Sequence, residues 1–273
     1  MNLVNQIYVG ANGRHSLVDF QEPVGNYQDI ILFIHGFKGY KDWGAWNLVQ
    51  DYFVSSGIAF CKFNMSHNGG TVDQPIDFPD LEAFAKNCYS YELEDVNHVL
   101  NWLSSKVDLS SKKIHLVGHS RGGGIAVLAS SHPQVTSLIT WASISNIEQR
   151  FPKGEELDQW RENGFYTVVN NRTKQKMKHY FSFYEDWSTN KHKLNIEEQA
   201  KSLSIPALHI HGEKDETVNL SESDSLSAWT GGSLIIISDA NHTFNTFQPY
   251  NEEQMPNKLN EICNLTYQFI SKI

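Results

Sequence analysis

The chain has 273 residues, of which 40% are hydrophobic and 19% are charged. These proportions are ordinary for a globular protein, and the length suits one hydrophobic core, so we expect a single α/β domain over residues 1–273. The net charge of −9 argues against nucleic-acid binding, because attraction to phosphates requires clustered lysine and arginine.

The cysteines and the N-terminal segment indicate the cellular compartment that we expect for the protein. Cys61, Cys88 and Cys263 are scattered and form no C-x-x-C pair, so neither a disulfide framework nor a structural zinc site is predicted. The N-terminus shows no basic segment followed by an apolar stretch, and no run approaches the roughly 18 apolar residues of a membrane helix. We therefore expect a cytoplasmic protein without membrane attachment.

The first half of the chain alternates predicted strands with predicted helices. Asn12-Gly13 favours a hairpin turn between two N-terminal antiparallel strands. Uninterrupted apolar runs predict buried strands at 30–34, 58–63, 114–117 and 135–141. Apolar spacing predicts helices at about 42–54, at about 81–105, and from 125 to a point before Pro133. This alternation implies a parallel sheet covered by helices on both faces.

The alternation stops between about 145 and 201, where lysine, arginine and aromatic residues are frequent. We expect this stretch to form helices inserted above the sheet. Its aromatics would either bind an apolar or aryl acyl group or form a small core of the insert; they include Phe151, Trp160, Tyr166, Phe181, Tyr184 and Trp187. Strands are predicted again at 205–210 and 234–237, followed by a closing helix at 259–270.

One short motif carries a chemical prediction. Gly118-His119-Ser120-Arg121-Gly122 fits G-x-S-x-G, in which a serine lies on a sharp turn from strand to helix and glycines avoid clashes with adjacent backbone. The pattern alone arises by chance in about one chain in ten of this length at average glycine and serine usage. Here a predicted strand precedes it and a helix follows it. Ser120 is therefore predicted to be a nucleophile.

On this motif and its context, the sequence resembles the α/β-hydrolase superfamily over essentially the whole chain except the insert. Within it, the sequence is most similar to small intracellular esterases of the feruloyl-esterase and dienelactone-hydrolase-like groups. The resemblance implies the α/β-hydrolase fold: a mostly parallel eight-stranded sheet with helices on both faces, and a helical lid at about 145–201. Dienelactone hydrolases use a cysteine nucleophile, whereas position 120 is serine, so their chemistry is not transferred.

The superfamily order of nucleophile, acid and histidine locates two partners for Ser120. Asp215 follows the predicted strand 205–210 and resembles the acid of the family's G-x-x-D segment. His242 follows the last predicted strand and resembles the family's catalytic histidine. In such a triad the histidine accepts the serine proton and the carboxylate orients the imidazole.

The resemblance also assigns two backbone N–H groups to an oxyanion hole. One belongs to Arg121, directly after the nucleophile, and the other to Phe37 in the His35-Gly36-Phe37 loop after a predicted strand. Such donors stabilise the negative charge of a tetrahedral intermediate, and removing one typically lowers turnover by about 10²–10³.

The predicted activity is hydrolysis of a small carboxylic ester through an acyl-enzyme intermediate. The same machinery serves thioester, amide and peptide cleavage within the family, so an aminopeptidase, amidase or thioesterase is the alternative. An aminopeptidase would place carboxylates near the substrate amine, and the insert offers four that could equally face solvent: Glu148, Glu155, Glu156 and Asp158. A non-catalytic ligand-binding module is disfavoured because all the triad and oxyanion positions are present.

Metal and nucleotide cofactors are not predicted. The sequence contains no H-E-x-x-H motif, and His209-x-His211 lacks a third ligand. Neither G-x-G-x-x-G nor G-x-x-x-x-G-K-[ST] is present. The expected partner is therefore a small-molecule ester or related acyl substrate alone.

Overall fold

The strands of the computed structural model, which describes residues 1–273, form one large sheet and one separate hairpin. They are β1 (Asn2–Val9), β2 (His15–Gln21), β3 (Asp29–Ile34), β4 (Ala59–Phe63), β5 (Lys113–His119), β6 (Val135–Trp141), β7 (Phe165–Val169), β8 (Lys176–Tyr180), β9 (Ala207–Gly212) and β10 (Ser233–Ile237). The large sheet has the order β1-β2-β4-β3-β5-β6-β9-β10. Its two pairings that involve β2 are antiparallel and the others are parallel, which confirms the mostly parallel eight-stranded sheet.

Helices cover both faces of this sheet. They are α1 (Trp46–Ser55), α2 (Leu81–Lys86), α3 (Tyr89–Ser104), α4 (Arg121–Ala129), α5 (Glu155–Asn163), α6 (Ser182–Thr189), α7 (Ile196–Lys201), α8 (Leu220–Thr230) and α9 (Asn257–Ile270), with 3-10 turns at 11–13 and 148–150. Apolar residues of α1 and α9 join one buried cluster. Those of α3, α4, α7 and α8 join the other. No helix is both long and apolar enough to cross a lipid bilayer.

The continuous apolar runs of the central strands follow from this two-sided burial. In β3, Ile30, Leu32 and Ile34 face the cluster that contains α3 and α4. Ile31 and Phe33 face the cluster that contains α1 and α9. Because successive side chains of a strand point to opposite faces, a strand covered on both sides needs apolar residues at every position.

Two helical predictions differ from the structure. The single helix expected at about 81–105 is two helices, because Asn87 and Cys88 adopt extended backbone between α2 and α3. The two helices pack on different partners: Phe84 of α2 contacts His179 of the hairpin, whereas α3 packs on the sheet. Helix α8 was not predicted, since its serine-rich sequence buries only one large apolar side chain, Leu226.

The stretch 145–201 is not purely helical, so that part of the prediction is wrong. Between α5 and α6 it contains the antiparallel hairpin β7–β8. The reason is visible in β8, where buried Met177 and His179 alternate with exposed neighbours, a period of two that suits a strand. The aromatics Phe151 and Trp160 are buried in the core cluster, as expected if the insert's aromatics build a core.

Candidate active site

Ser120 lies on a sharp turn between β5 and α4. Its backbone has φ 57° and ψ −122°, a conformation that non-glycine residues rarely adopt and that surrounding structure must enforce. The adjacent glycine is required sterically, because a Cβ atom at Gly122 would lie 2.3 Å from the carbonyl oxygen of Ile34. The predicted strand–turn–helix geometry around Ser120 is therefore present.

The three predicted triad residues meet at one edge of the sheet. Ser120 follows β5, Asp215 follows β9 and His242 follows β10, so all three lie beyond the carboxyl ends of parallel strands. Nε2 of His242 lies 2.9 Å from Oγ of Ser120. Nδ1 of His242 lies 2.8 Å from Oδ2 of Asp215. These distances form a continuous hydrogen-bonded chain from hydroxyl to imidazole to carboxylate.

Asp215 is held as a carboxylate by its surroundings. Its side chain is 1% exposed. Oδ1 accepts the backbone N–H groups of Thr217, at 2.8 Å, and Val218, at 2.9 Å. Burial opposes ionisation of this group, but hydrogen bonds from His211 and His242 outweigh burial and hold the pKa of Asp215 well below its ordinary value.

His211 contacts the triad, although sequence reasoning gave it only a structural role. Its Nε2 lies 3.2 Å from Oδ2 of Asp215 and 3.0 Å from the carbonyl oxygen of Val218. Its Nδ1 lies 2.7 Å from Oγ of Ser223. The four-residue spacing of His211 and Asp215 after a strand was the one sequence signal that could have indicated this contact.

His119, the variable position of the motif, holds the loop that carries the predicted base. Its Nε2 donates to the carbonyl oxygen of His242 at 2.9 Å. Burial and, next in size, the neighbouring His242 together lower the pKa of His119 to about 3, so the ring is neutral at physiological pH. No pattern in the sequence pointed to this contact.

The two predicted oxyanion residues, Arg121 and Phe37, lie beside Ser120. Arg121 is the first residue of α4, where a backbone N–H has no acceptor within its own helix. The backbone N–H of Phe37 donates to no acceptor in the protein. The loop that carries Phe37 passes directly against Ser120, because a Cβ atom at Gly36 would lie 2.9 Å from the Cβ of Ser120.

The side chain of Arg121 connects the same two segments. Its guanidinium carbon lies 4.0 Å from the ring centroid of Phe37, and Nη1 lies 3.2 Å from Oε1 of Glu92 in α3. Cations over aromatic faces are attracted by the ring quadrupole. Arg121 therefore fixes the position of the Phe37 loop relative to the start of α4.

A cavity of about 660 Å³ opens onto Ser120 and His242. Its apolar side chains are mostly aromatic, with two aliphatic ones: Phe37, Trp43, Trp46, Phe78 and Phe247, together with Ile144 and Val218. Its charged side chains are all basic: Lys38, Arg121, Arg150 and Arg172. The tip of the hairpin contributes Asn170 and Asn171, so the insert forms part of the wall. The volume suits a small-molecule ligand.

Neither the cavity nor the rest of the chain offers a metal site. No group of three His, Cys, Asp or Glu side chains is arranged to hold a metal ion. His209, one half of the His209-x-His211 pair, instead hydrogen-bonds through both ring nitrogens to Thr140 and Thr230.

A serine on a strand-to-helix turn, hydrogen-bonded to a histidine and an aspartate beyond later strands, is the arrangement of an α/β hydrolase. The family model described as alpha/beta hydrolase fold matches residues 29–195, and the chain belongs to this family. The family match, with esterase and peptidase neighbours, supports hydrolase activity.

Individual relatives agree with this assignment. Est1E from Butyrivibrio proteoclasticus, in a structure with bound ferulic acid, is similar with a TM-score of 0.75, 19% identity and 98% coverage of each chain. A putative hydrolase from Agrobacterium vitis S4 is similar with a TM-score of 0.73 and 17% identity, over 99% of this chain and 98% of that chain. The uncharacterized peptidase YtmA of Bacillus subtilis (strain 168) is 24% identical over 217 residues, 78% of this chain and 73% of that protein. At these identities the structural likenesses show the shared fold.

Proposed function

We propose that the protein is a serine hydrolase that cleaves a small carboxylic ester through an acyl-enzyme intermediate. The observation that carries this proposal is the hydrogen-bonded chain from Ser120 through His242 to Asp215, with distances of 2.9 and 2.8 Å. A serine hydroxyl is a weak nucleophile at neutral pH until a neighbouring base accepts its proton. We propose His242 as that base, because its Nε2 lies at hydrogen-bonding distance from Oγ of Ser120.

In the proposed acylation step, Oγ of Ser120 attacks the ester carbonyl carbon while its proton passes to Nε2 of His242. The carbonyl oxygen becomes an oxyanion that accepts hydrogen bonds from the backbone N–H groups of Phe37 and Arg121. Collapse of the tetrahedral intermediate breaks the bond to the leaving alkoxide, which takes the proton from Nε2. Water then attacks the acyl-enzyme by the same route and regenerates Ser120.

Asp215 is proposed to act through His242 rather than on the substrate. As a carboxylate it accepts the Nδ1–H of His242, which keeps Nε2 free to accept the serine proton and stabilises the imidazolium that forms. Thr217 and Val218 donate hydrogen bonds to its other oxygen, Oδ1, and these bonds fix the carboxylate so that Oδ2 stays within reach of Nδ1 of His242.

Amide cleavage is the second candidate, because one relative carries the name of a peptidase. The four insert carboxylates that an aminopeptidase could use do not line the cavity. Glu148 lines a different depression, and Glu155, Glu156 and Asp158 are exposed on α5. With no carboxylate in the cavity wall to bind a substrate ammonium, the site favours an ester over an aminoacyl amide.

The test compares 4-nitrophenyl acetate, butyrate and octanoate with aminoacyl 4-nitroanilides, using wild type, Ser120→Ala and the matched control Ser104→Ala. Ser104 is exposed at the end of α3. We expect ester turnover in wild type and Ser104→Ala, and at least about a thousandfold loss in Ser120→Ala. Substantial residual activity in Ser120→Ala would place the nucleophile elsewhere, and faster cleavage of the anilides would identify an amidase.

A further inference from the structure

The charged side chains that line the cavity are unbalanced. The chain as a whole carries a net charge of −9, yet the wall contains four basic side chains and no carboxylate. Three of the four have carboxylate partners: Arg121 pairs with Glu92, Arg150 with Glu222 and Arg172 with Asp77.

Lys38 is the basic residue of the wall that has no carboxylate partner. Its ammonium makes no hydrogen bond and no ion pair within the protein, and lies 5.4 Å from the ring centroid of Phe37. The side chain is partly buried, on a backbone with φ 56°. It follows directly after Phe37, the proposed oxyanion donor, and lines the same cavity as Ser120.

The groups around Lys38 experience a positive field. Burial lowers the pKa of Lys38, and the nearby guanidinium of Arg121 lowers it further. Burial also lowers the pKa of His179 to about 3, with Arg121 and Lys38 both adding to the effect. No carboxylate contributes to either shift. The positive charge of Lys38 is therefore not compensated by a carboxylate of the protein, whereas Arg121 is paired with Glu92.

We infer that the ester hydrolysed at this site carries a negatively charged group that pairs with the ammonium of Lys38. The inference rests on the proposed function and adds the substrate class to it. A partly buried charge without a partner is costly to the folded protein, whereas a charged partner on the substrate would satisfy it. A substrate ammonium would instead meet only positive charge.

The experiment uses three 4-nitrophenyl esters of matched chain length that differ in terminal charge: the adipic acid monoester, the hexanoate and the 6-aminohexanoate. A second pair places the carboxylate on the alcohol side, with the acetate esters of 4-hydroxybenzoate and 4-methylphenol. Self-hydrolysis is subtracted with Ser120→Ala. In wild type we expect kcat/KM for the anionic ester to exceed that for its neutral counterpart by at least about fivefold in one of the two pairs. A ratio of this size corresponds to the contribution of a partly exposed ion pair.

The variants test whether Lys38 causes the preference. Lys38→Met should reduce the ratio of anionic to neutral kcat/KM to about one, and Lys38→Glu should favour the 6-aminohexanoate. The matched control Lys193→Met changes an exposed lysine outside the cavity and should keep the wild-type ratio. Because each result is a ratio of two substrates on one protein, a general loss of activity cancels.

Two outcomes separate this inference from the proposed function. Neutral esters hydrolysed as fast as anionic ones in both pairs would overturn the inference and leave the esterase proposal intact. A preference that survives in Lys38→Met would also overturn it, because the charge would then be recognised elsewhere. Absence of any Ser120-dependent ester cleavage would overturn both.

Discussion

His179 lies where the insert packs on the loop that carries Phe37, and its burial allows a quantitative prediction. Its ring is fully buried, and neither ring nitrogen has a hydrogen-bond partner. It stacks on Phe183 with centroids 4.9 Å apart and contacts Phe37 at 5.4 Å. We predict that His179→Phe, which keeps an aromatic ring in this cluster, removes part of the decrease in the free energy of unfolding that accompanies a fall in pH.

The magnitude follows from the difference in pKa between the folded and unfolded chains. Burial lowers the pKa of His179 from 6.5 to about 3, so the folded protein keeps the ring neutral between pH 7.5 and 5.0. The unfolded chain takes up the proton as the pH falls below 6.5, and each unit of difference is worth about 1.4 kcal/mol. Protonation of this one side chain in the unfolded state should therefore lower the free energy of unfolding by about 2 kcal/mol at pH 5.0 relative to pH 7.5.

The measurement is urea unfolding of wild type and His179→Phe at both pH values, followed by tryptophan fluorescence. The free energy of unfolding of the variant should fall by about 2 kcal/mol less than that of wild type between pH 7.5 and 5.0. A packing change that is independent of pH cancels in this comparison. His98→Phe, at an exposed position of α3, is the control and should show the pH dependence of wild type. Equal pH dependence in wild type and His179→Phe would refute the reasoning.

Two further predictions concern Asp215. The first concerns His211→Asn, whose amide cannot reach this carboxylate: kcat should fall about tenfold with little change in KM. The variant His211→Gln should restore part of the loss in kcat. An effect on KM alone would show that His211 does not position the triad. Because the pKa of Asp215 is held well below its ordinary value, this carboxylate should stay ionised across the acid side of the activity profile. A plot of log kcat/KM against pH should therefore not exceed a slope of one between about pH 4 and 5.5, and a slope of two would show that the carboxylate titrates there as well.

Short motifs tied to strand ends were the most predictable part of the structure. The sequence predicts Ser120, Asp215 and His242 because each follows a predicted buried strand, and the parallel sheet brings strand ends to one edge. The position of each residue depends only on the strands and their direction. The contacts at 2.8 and 2.9 Å agree with it, and the catalytic roles await the Ser120→Ala experiment.

Features that depend on tertiary contacts could not be predicted in this way. The break between α2 and α3 arises because the two helices pack on different partners, and no glycine or proline marks it. The absence of a partner for Lys38 depends on which carboxylates fold against the basic residues of the cavity wall. Glu92, Glu222 and Asp77 are distant in sequence from the arginines that they pair with, so spacing along the chain carries no such information.

The packing of the insert limits how it could act as a lid. Phe151 and Trp160 belong to the same buried cluster as the helices beneath them, and Phe183 stacks on Tyr89 of α3 with centroids 5.0 Å apart. Lifting the whole insert would expose these rings to water at a cost of about 1.5–3 kcal/mol for each large side chain. The hairpin tip at 170–172 lines the cavity without such burial of aromatic rings. Movement that admits a substrate is therefore expected at the tip, with the aromatic base of the insert remaining in place.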